Sequence, residues 1–474
     1  MPTILDPNRV LGAPTKAFFA QTLTRDIELK DAILDLLDNC IDGLMRSVSK
    51  ATLAKRKPYT DHWAHVTFTR DSFVIEDNCG GIDRELARTS AFRMGRLQLG
   101  TSSKQGKPTV GTYGIGMKRA IFKMGRSCTV TSRTKGDAYE VTIPSTWFKD
   151  DENWDLRLKS IHRNSPRTGT KIEVRDLHDS IKKEFIGLSG FAEGLSSLIS
   201  QQFAIIIKKG FEVKINGKAV KPKPFRFISV DLDEYEVGVA PYLFNGMFDG
   251  VRVDVCVGFY KPVPDPGDLE EEAEEEATFT SDESGWNVIC NDRVVLMHDT
   301  THLTGWGVGG VPNFHNQFIA IAGTAQFTSD DPSKLPLTTT KRGVDLNSEL
   351  YRRVLDKMQE GTKMFTSFTN RLKKAPLERK KIFRETSSMD LDQLRSQQDS
   401  KSLEWHTDRR LVGGKTFRPN LPKLSENRLR VIRFSKSRED ISAVAQFLFD
   451  DDSISPGDVG SQCFDRVLEE AKRS

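Results

Sequence analysis

The stretch at residues 31–45 limits what this chain can become more tightly than any other. At about 100° per residue, Ile33, Leu37, Cys40, Ile41 and Leu44 fall on one helical face. Asp35, Asp38, Asn39 and Asp42 crowd the opposite face. A solvated face ordinarily interleaves lysine or arginine to make i,i+4 pairs. None lies between Lys30 and Arg46, and Asp38 and Asp42 form a repulsive i,i+4 pair. Such crowding is stable where a cation or a polarised water belongs, and a plain solvated face is the alternative reading.

Three further elements carry chemistry only in combination. Phe73-Val74-Ile75-Glu76-Asp77-Asn78-Cys79-Gly80-Gly81 is an apolar strand that ends at an aspartate and enters paired glycines. The glycines let the backbone turn sharply beside a flat ligand, and the carboxylate can accept from an exocyclic amine; a capped turn after a strand is the plain alternative. Gly111-Thr112-Tyr113-Gly114-Ile115-Gly116-Met117-Lys118-Arg119 places three glycines before a helix that begins near Met117 and opens with two basic residues. Amides at a helix N-terminus form an anion site, and a lysine there opposes the dipole unless a phosphate is bound. The spacing is not that of a P-loop, and a structural lid is the alternative. Thr168-Gly169-Thr170 opens a strand, where the threonine can meet a base edge or satisfy the backbone.

Around these elements the chain alternates helical and strand signals. Residues 65–69 and 72–76 flank an Arg70-Asp71 turn, residues 127–132 and 139–143 join through Lys135-Gly136-Asp137, and 170–174 adds a strand. Antiparallel hairpins mixed with helices predict an α+β sandwich. A second block, 181–373, holds a hairpin-like 212–220, strands at 251–259, 286–296 and 318–327, and a long helix at 347–373. The acidic run at 270–276 reads as a solvated insertion. Residues 374–436 read as a basic polar linker, and 437–474 as a small helical region with Ser437 as an N-cap and Phe464, Val467 and Leu468 on one face.

With 474 residues, 37% hydrophobic and 29% charged, the chain has room for about three cores. No apolar run approaches the ~20 residues that span a bilayer, no secretory signal is evident, and six scattered cysteines predict reduced thiols in a cytoplasmic protein rather than a zinc site. The net charge is +4, unevenly spread: residues 371–438 hold 19 basic against 8 acidic side chains, and 439–474 hold 3 against 9. A nucleic-acid surface or two mutually attracting segments would both produce this pattern.

In order along the chain, the four elements resemble the nucleotide site of the gyrase, chaperone, histidine-kinase and mismatch-repair (GHKL) ATPases, across residues 20–180. Asp35 and Asn39 stand where that family has E-x-x-x-N, Asp77 to Gly81 where it has D-x-G-x-G, Gly111 to Lys118 at its glycine-rich lid, and Gly169-Thr170 at its last motif. The wording is closest to the branch that includes the MORC proteins, the mismatch-repair clamps and the large heat-shock chaperone, where a lysine follows the lid glycines. Residues 285–295 resemble a transducer strand-turn-strand with an arginine at the turn, and Lys341 lies just before the long helix, where the family keeps its phosphate-sensing loop.

The resemblance implies a Bergerat-type α/β sandwich at 1–180, a ribosomal-protein-like transducer at 181–373, and ATP with Mg²⁺ as ligands. Asn39 would hold the metal, Asp35 would be the general base, and Asp77 and Thr170 would meet the adenine. Asp42 and Gly81 complete the pocket. Gly111, Gly114, Gly116, Met117 and Lys118 would line the phosphates, and Lys341 would reach the terminal one. Asp35 departs from the family's glutamate, which predicts slow turnover, and Cys79 replaces the first glycine of the second motif. The implied activity is an ATP-dependent homodimeric clamp with nucleic acid as a candidate client; an ATP sensor signalling to a protein partner and a chaperone-like ATPase are the alternatives. Only about 30 residues precede the first motif, too few for the helix pair of a histidine kinase.

Overall fold

Strict alternation of buried and outward side chains makes the first half of the chain a sheet: Phe73, Ile75 and Asp77 point one way, Val74 and Glu76 the other. The computed structural model describes residues 15–53, 55–93, 116–151, 153–162, 167–187, 190–264, 283–338, 343–373, 375–397, 404–408, 412–424, 432 and 435–473. Eight strands form the first sheet: β1 (Trp63–Phe68), β2 (Ser72–Asp77), β3 (Gly125–Arg133), β4 (Ala138–Ile143), β5 (Leu158–Ser160), β6 (Gly169–Leu177), β7 (Glu212–Ile215) and β8 (Lys218–Ala219). Their order is β5-β4-β3-β6-β2-β1-β7-β8, antiparallel except where β7 runs beside β1. Helices α1 (Lys16–Arg25), α2 (Leu29–Ser47) and α3 (Gly116–Met124) pack on one another and bring the site to the ends of β2 and β6. Lys16 ties α1 down: its ammonium donates to the carbonyls of Trp147, Asp150 and Asn153 and sits 4.2 Å from the Trp147 ring.

The hairpin expected in the second block is β7–β8. Its parallel pairing with β1 instead makes it the far edge of the first sheet, reached through α4 (Asp179–Ile186) and α5 (Gly190–Gln202). Phe185 and Phe191 on this connection pack against Phe68, with centroids 4.7 and 5.4 Å apart.

A second sheet follows the order β13-β12-β14-β11-β10-β17-β16. It comprises β10 (Tyr242–Phe248), β11 (Val251–Phe259), β12 (Gly285–Cys290), β13 (Arg293–Asp299), β14 (Ile321–Thr328), β16 (Trp405–Asp408) and β17 (Val412–Phe417); β9 (Arg226–Ser229) pairs separately with β15 (Ser387–Asp390). Helix α6 (Glu349–Leu372) crosses this sheet so closely that an ideal Cβ on Gly361 would lie 2.2 Å from Val257 Cγ1. Trp286 is fully buried beneath it and donates to Thr362 Oγ1 at 3.2 Å.

The expected linker at 374–436 contributes structure instead. β17 hydrogen-bonds to β10, and Met389, Leu394, Trp405 and Phe417 gather with Phe227, Leu243 and Cys256 in a small core. Those apolar residues are spaced too widely among basic ones to show in a local window, yet the topology brings them together. The acidic run at 270–276 lies outside the described residues.

Residues 425–474 form a separate unit. Its helices are α7 (Arg438–Phe449), capped by Ser437 Oγ accepting from the Asp440 amide at 3.1 Å, and α8 (Pro456–Arg473). Ala445 and Val459 are buried, while Phe447, Phe464 and Val467 are exposed. Among the described residues, no helix is long and apolar enough to cross a membrane.

Candidate functional site

Helix α2 is buried on nearly every side. Its apolar face packs Ile33, Leu37 and Leu44 into the main core, each such side chain worth roughly 1.5–3 kcal/mol of transfer free energy. The carboxylates opposite are buried too: Asp35 is 6% exposed, Asp38 2% and Asp42 3%. The sequence alternatives of a solvated face or a face reserved for a cation therefore both need correction at Asp38. Its Oδ1 accepts from Arg293 Nε at 2.8 Å, across 255 residues of chain. Arg293 stands at the β12–β13 turn, stacked 4.1 Å from the Phe203 ring, and also donates to the Val294 carbonyl at 2.8 Å. Beside it Asp292 accepts from Lys209 at 2.6 Å and Tyr59 at 2.9 Å. Asn291 and Asp292 both adopt left-handed φ, which shapes this two-residue turn and aims the arginine at α2.

The other carboxylate of the site closes β2. Asp77 is 8% exposed, and its Oδ1 accepts from the backbone amides of Cys79 at 2.7 Å and Thr170 at 3.3 Å. Burial lifts its pKa to about 6, against the opposing pull of the Cys79 amide, the Cys40 thiol and the Thr170 amide. The glycines are sterically required here. Gly81 has φ +76°, and a Cβ would lie 2.4 Å from the Arg133 carbonyl oxygen; one on Gly169 would lie 1.9 Å from that of Asp77. Ser132 Oγ grips Ile82 from both sides, accepting from its amide at 2.8 Å and donating to its carbonyl at 2.9 Å, and Tyr139 donates to the same carbonyl. Neither Ser132 nor Tyr139 is marked by any local motif.

Helix α3 begins at Gly116, whose ideal Cβ would lie 3.5 Å from Asp35 Oδ2. Met117 packs against the core. Lys118 is 3% exposed and donates to the Ala91 carbonyl at 3.0 Å, at the end of a π-helical turn, Ala87–Ala91. Burial lowers its pKa to about 8. Arg119, noted in the sequence only as a second basic residue, donates from Nη2 to Asp35 Oδ2 at 2.7 Å. Thus Asp35, Gly116 and Arg119 meet at the α2–α3 contact, with Asn39 one turn further along α2 and Asp77, Gly81 and Thr170 at or just beyond the strand ends. Gly111, Gly114 and Lys341 lie outside the described residues.

Asn39 suits a cation that brings most of its own ligands. Its carboxamide is half-buried, and Nδ2 has no hydrogen-bond partner among the described residues. The described residues hold no cluster of three or more carboxylate, histidine or cysteine ligands. Magnesium commonly uses one or two protein oxygens with water and phosphate completing the octahedron, so a single amide oxygen fits it.

Basic residues at 208–226 and in the basic stretch at 371–438 are in part committed internally. Lys208 pairs with Asp390 and Asp392, Lys214 with Glu212, Lys223 with Glu283, and Arg418 with Glu360.

An α+β sandwich brings together an acidic helix, a turn that runs from Asp77 to Gly81 and a helix that begins at a glycine. Residues 27–173 match the model of the histidine kinase-, DNA gyrase B- and HSP90-like ATPase family. The chain is similar to Protein MICRORCHIDIA 1 of Arabidopsis thaliana, 30% identical over 103 residues, and to Protein MICRORCHIDIA 2 of the same plant, 29% identical over 103. Each alignment covers 22% of this chain and 14% of the relative.

Proposed function

We propose that the chain binds Mg²⁺-ATP, hydrolyses it slowly, and uses it to close a homodimeric clamp. The observation that carries this reading is the packing of α2, which holds Asp35 and Asn39, against α3 and β2, with Asp77 at the end of β2 tied to Thr170. Asp77 is the adenine acceptor: two amides converge on Oδ1 and fix the carboxylate at the end of β2, where it can accept from an exocyclic amine. Gly81 and Gly169 keep side chains away from the base. Asp42 supports the same buried acidic wall. The N-terminus of α3, with Gly116, Met117 and Lys118, faces the phosphates, joined in the family arrangement by Gly111, Gly114 and, from the second domain, Lys341. A magnesium ion on Asn39 supplies charge neutralisation for the phosphates when bound. Asp35 takes a proton from the attacking water. Its carboxylate sits about 1 Å further back than a glutamate's, and a displacement of that size costs about 100-fold in rate.

Size-exclusion chromatography with Mg²⁺ and a non-hydrolysable ATP analogue tests the clamp. The expected result is a monomer that becomes a dimer with analogue; a monomer under both conditions contradicts it.

The Asp35–Arg119 pair favours a second reading, an ATP sensor that signals to a protein partner without turnover. Phosphate release separates the two. Asp35→Asn should abolish a slow wild-type rate if the chain is an ATPase, and no wild-type release at all supports the sensor. A nucleic-acid client has narrower support, from exposed Lys218, Lys221 and Arg226. Duplex DNA binding that weakens steeply with salt would support it, and no binding at about 50 mM salt would remove it.

A further inference from the structure

Arg119 holds the carboxylate that the proposed chemistry needs, and the manner of its hold is incomplete. Only Nη2 reaches Asp35 Oδ2, at 2.7 Å, in a pair whose side chains are 22% and 8% exposed. The adjacent Nε–H is buried with no acceptor among the described residues. Nε and Nη2 form one edge of the planar guanidinium fork, and that edge matches two oxygens of a single anion. The carboxylate uses half of it. A buried donor left unmade is a standing cost, and a tetrahedral phosphate placed on the same edge would remove it.

The carboxylate also occupies an anion's place. Gly116 puts the first turn of α3 against Asp35 Oδ2, so the carboxylate sits between the guanidinium and the positive end of a nine-residue helix. A triphosphate reaching this point carries more charge and more acceptor oxygens than the aspartate does.

We infer that Arg119 is a terminal-phosphate sensor that passes from Asp35 to the γ-phosphate when a triphosphate binds, freeing Asp35 to act as base; this rests on the ATP reading above. With a diphosphate there is no terminal group to draw it away, and Arg119 stays on Asp35. In the turnover that follows, water gives a proton to the released carboxylate. Its oxygen bonds the terminal phosphorus as the bond to the β–γ bridging oxygen breaks, and that electron pair leaves with ADP. Arg119 thereby makes the base available only when there is a phosphate to attack. The sensing group lies on the helix after the glycines, within the ATPase domain, separate from Lys341.

The test is the affinity of a non-hydrolysable ATP analogue and of ADP, measured at fixed Mg²⁺ for the wild type, Arg119→Met and Arg119→Lys. The expected result is an analogue affinity about 10–100-fold weaker in Arg119→Met, the range of a lost charge-assisted hydrogen bond. ADP affinity should stay within about twofold, and Arg119→Lys should fall between, since it keeps the charge without the fork. Equal weakening of both nucleotides, or of neither, would overturn the role and leave a structural staple between α2 and α3. Should Arg119→Met fail to fold, Asp35→Asn serves: with its competitor gone, Arg119 should raise the ratio of analogue to ADP affinity, and an unchanged or lower ratio would overturn the proposal. A wild type that binds neither nucleotide would overturn the ATP site itself, an outcome distinct from these.

Discussion

An ideal Cβ on Gly169 would lie 1.9 Å from the carbonyl oxygen of Asp77, a contact that no side-chain rotation relieves. Gly169→Ala should therefore destabilise the protein by about 2–4 kcal/mol, read by urea denaturation, because β6 must shift away from the end of β2. Two titrating groups bracket the pocket. With ATP bound as proposed, Asp77, lifted to about 6 by burial, would accept the adenine amine only when ionised, and Lys118, lowered to about 8, would attract phosphate only when protonated. Nucleotide affinity of the free protein should thus peak between about pH 6 and pH 8, falling below as Asp77 gains a proton and above as Lys118 loses one. Asp77→Asn should flatten the acid limb and Lys118→Arg the alkaline one, as followed by fluorescence titration. Asp77 and Gly81 could be singled out in the sequence because one short stretch holds a strand end, an aspartate and its glycines, whereas Thr170 was read from a separate strand start 93 residues away. Arg119 could not be given its role, since its partner lies 84 residues away and no periodicity links them.

Between elements, the most informative contact joins α2 to the β12–β13 turn. Asp38 and Arg293 are 3% and 5% exposed at the side chain, so the pair has left water altogether. Removing one charge strands the other. Arg293→Met should cost about 3–5 kcal/mol, whereas Asp38→Leu combined with Arg293→Met should recover most of that loss. A double-mutant cycle in urea reads the coupling; additive losses would mean the two residues do not act as a pair. The acidic stripe on α2 was legible, with its lack of interleaved lysines, but its meaning was divided. Asp38 is neutralised by an arginine supplied from the second sheet, which local spacing cannot reveal. The β1–β2 and β3–β4 hairpins were legible because their turns are short and their strands alternate. The β7–β8 hairpin was legible as a hairpin but not as an edge of the first sheet, because a parallel pairing across some 150 residues leaves no local trace.

For the whole molecule, the α2–β13 contact sets the expected response to ligand. Asp38 of α2 pairs with Arg293 of β13, so the helix that carries the proposed site is tied to the second sheet, and residues 1–424 form one unit. A ligand that binds only the folded state stabilises everything that unfolds with its site, by about 2.7 kcal/mol at 100 times its Kd. Saturating analogue should then shift the unfolding of both sheets together, a result that Arg293→Met should split into two transitions by calorimetric scan. The strands at 405–408 and 412–417 that complete the second sheet were not legible, their apolar residues being diluted by surplus positive charge.

All of this depends on a triphosphate entering the space between α2, α3 and the ends of β2 and β6. Isothermal titration of Mg²⁺ and a non-hydrolysable ATP analogue into the wild type, Asp77→Ala and Asn39→Ala examines that directly. One site per chain is expected in the wild type, with affinity lowered at least about 100-fold in Asp77→Ala and clearly weakened in Asn39→Ala, both variants folded by circular dichroism. No heat in the wild type, or unchanged binding in both variants, would contradict it.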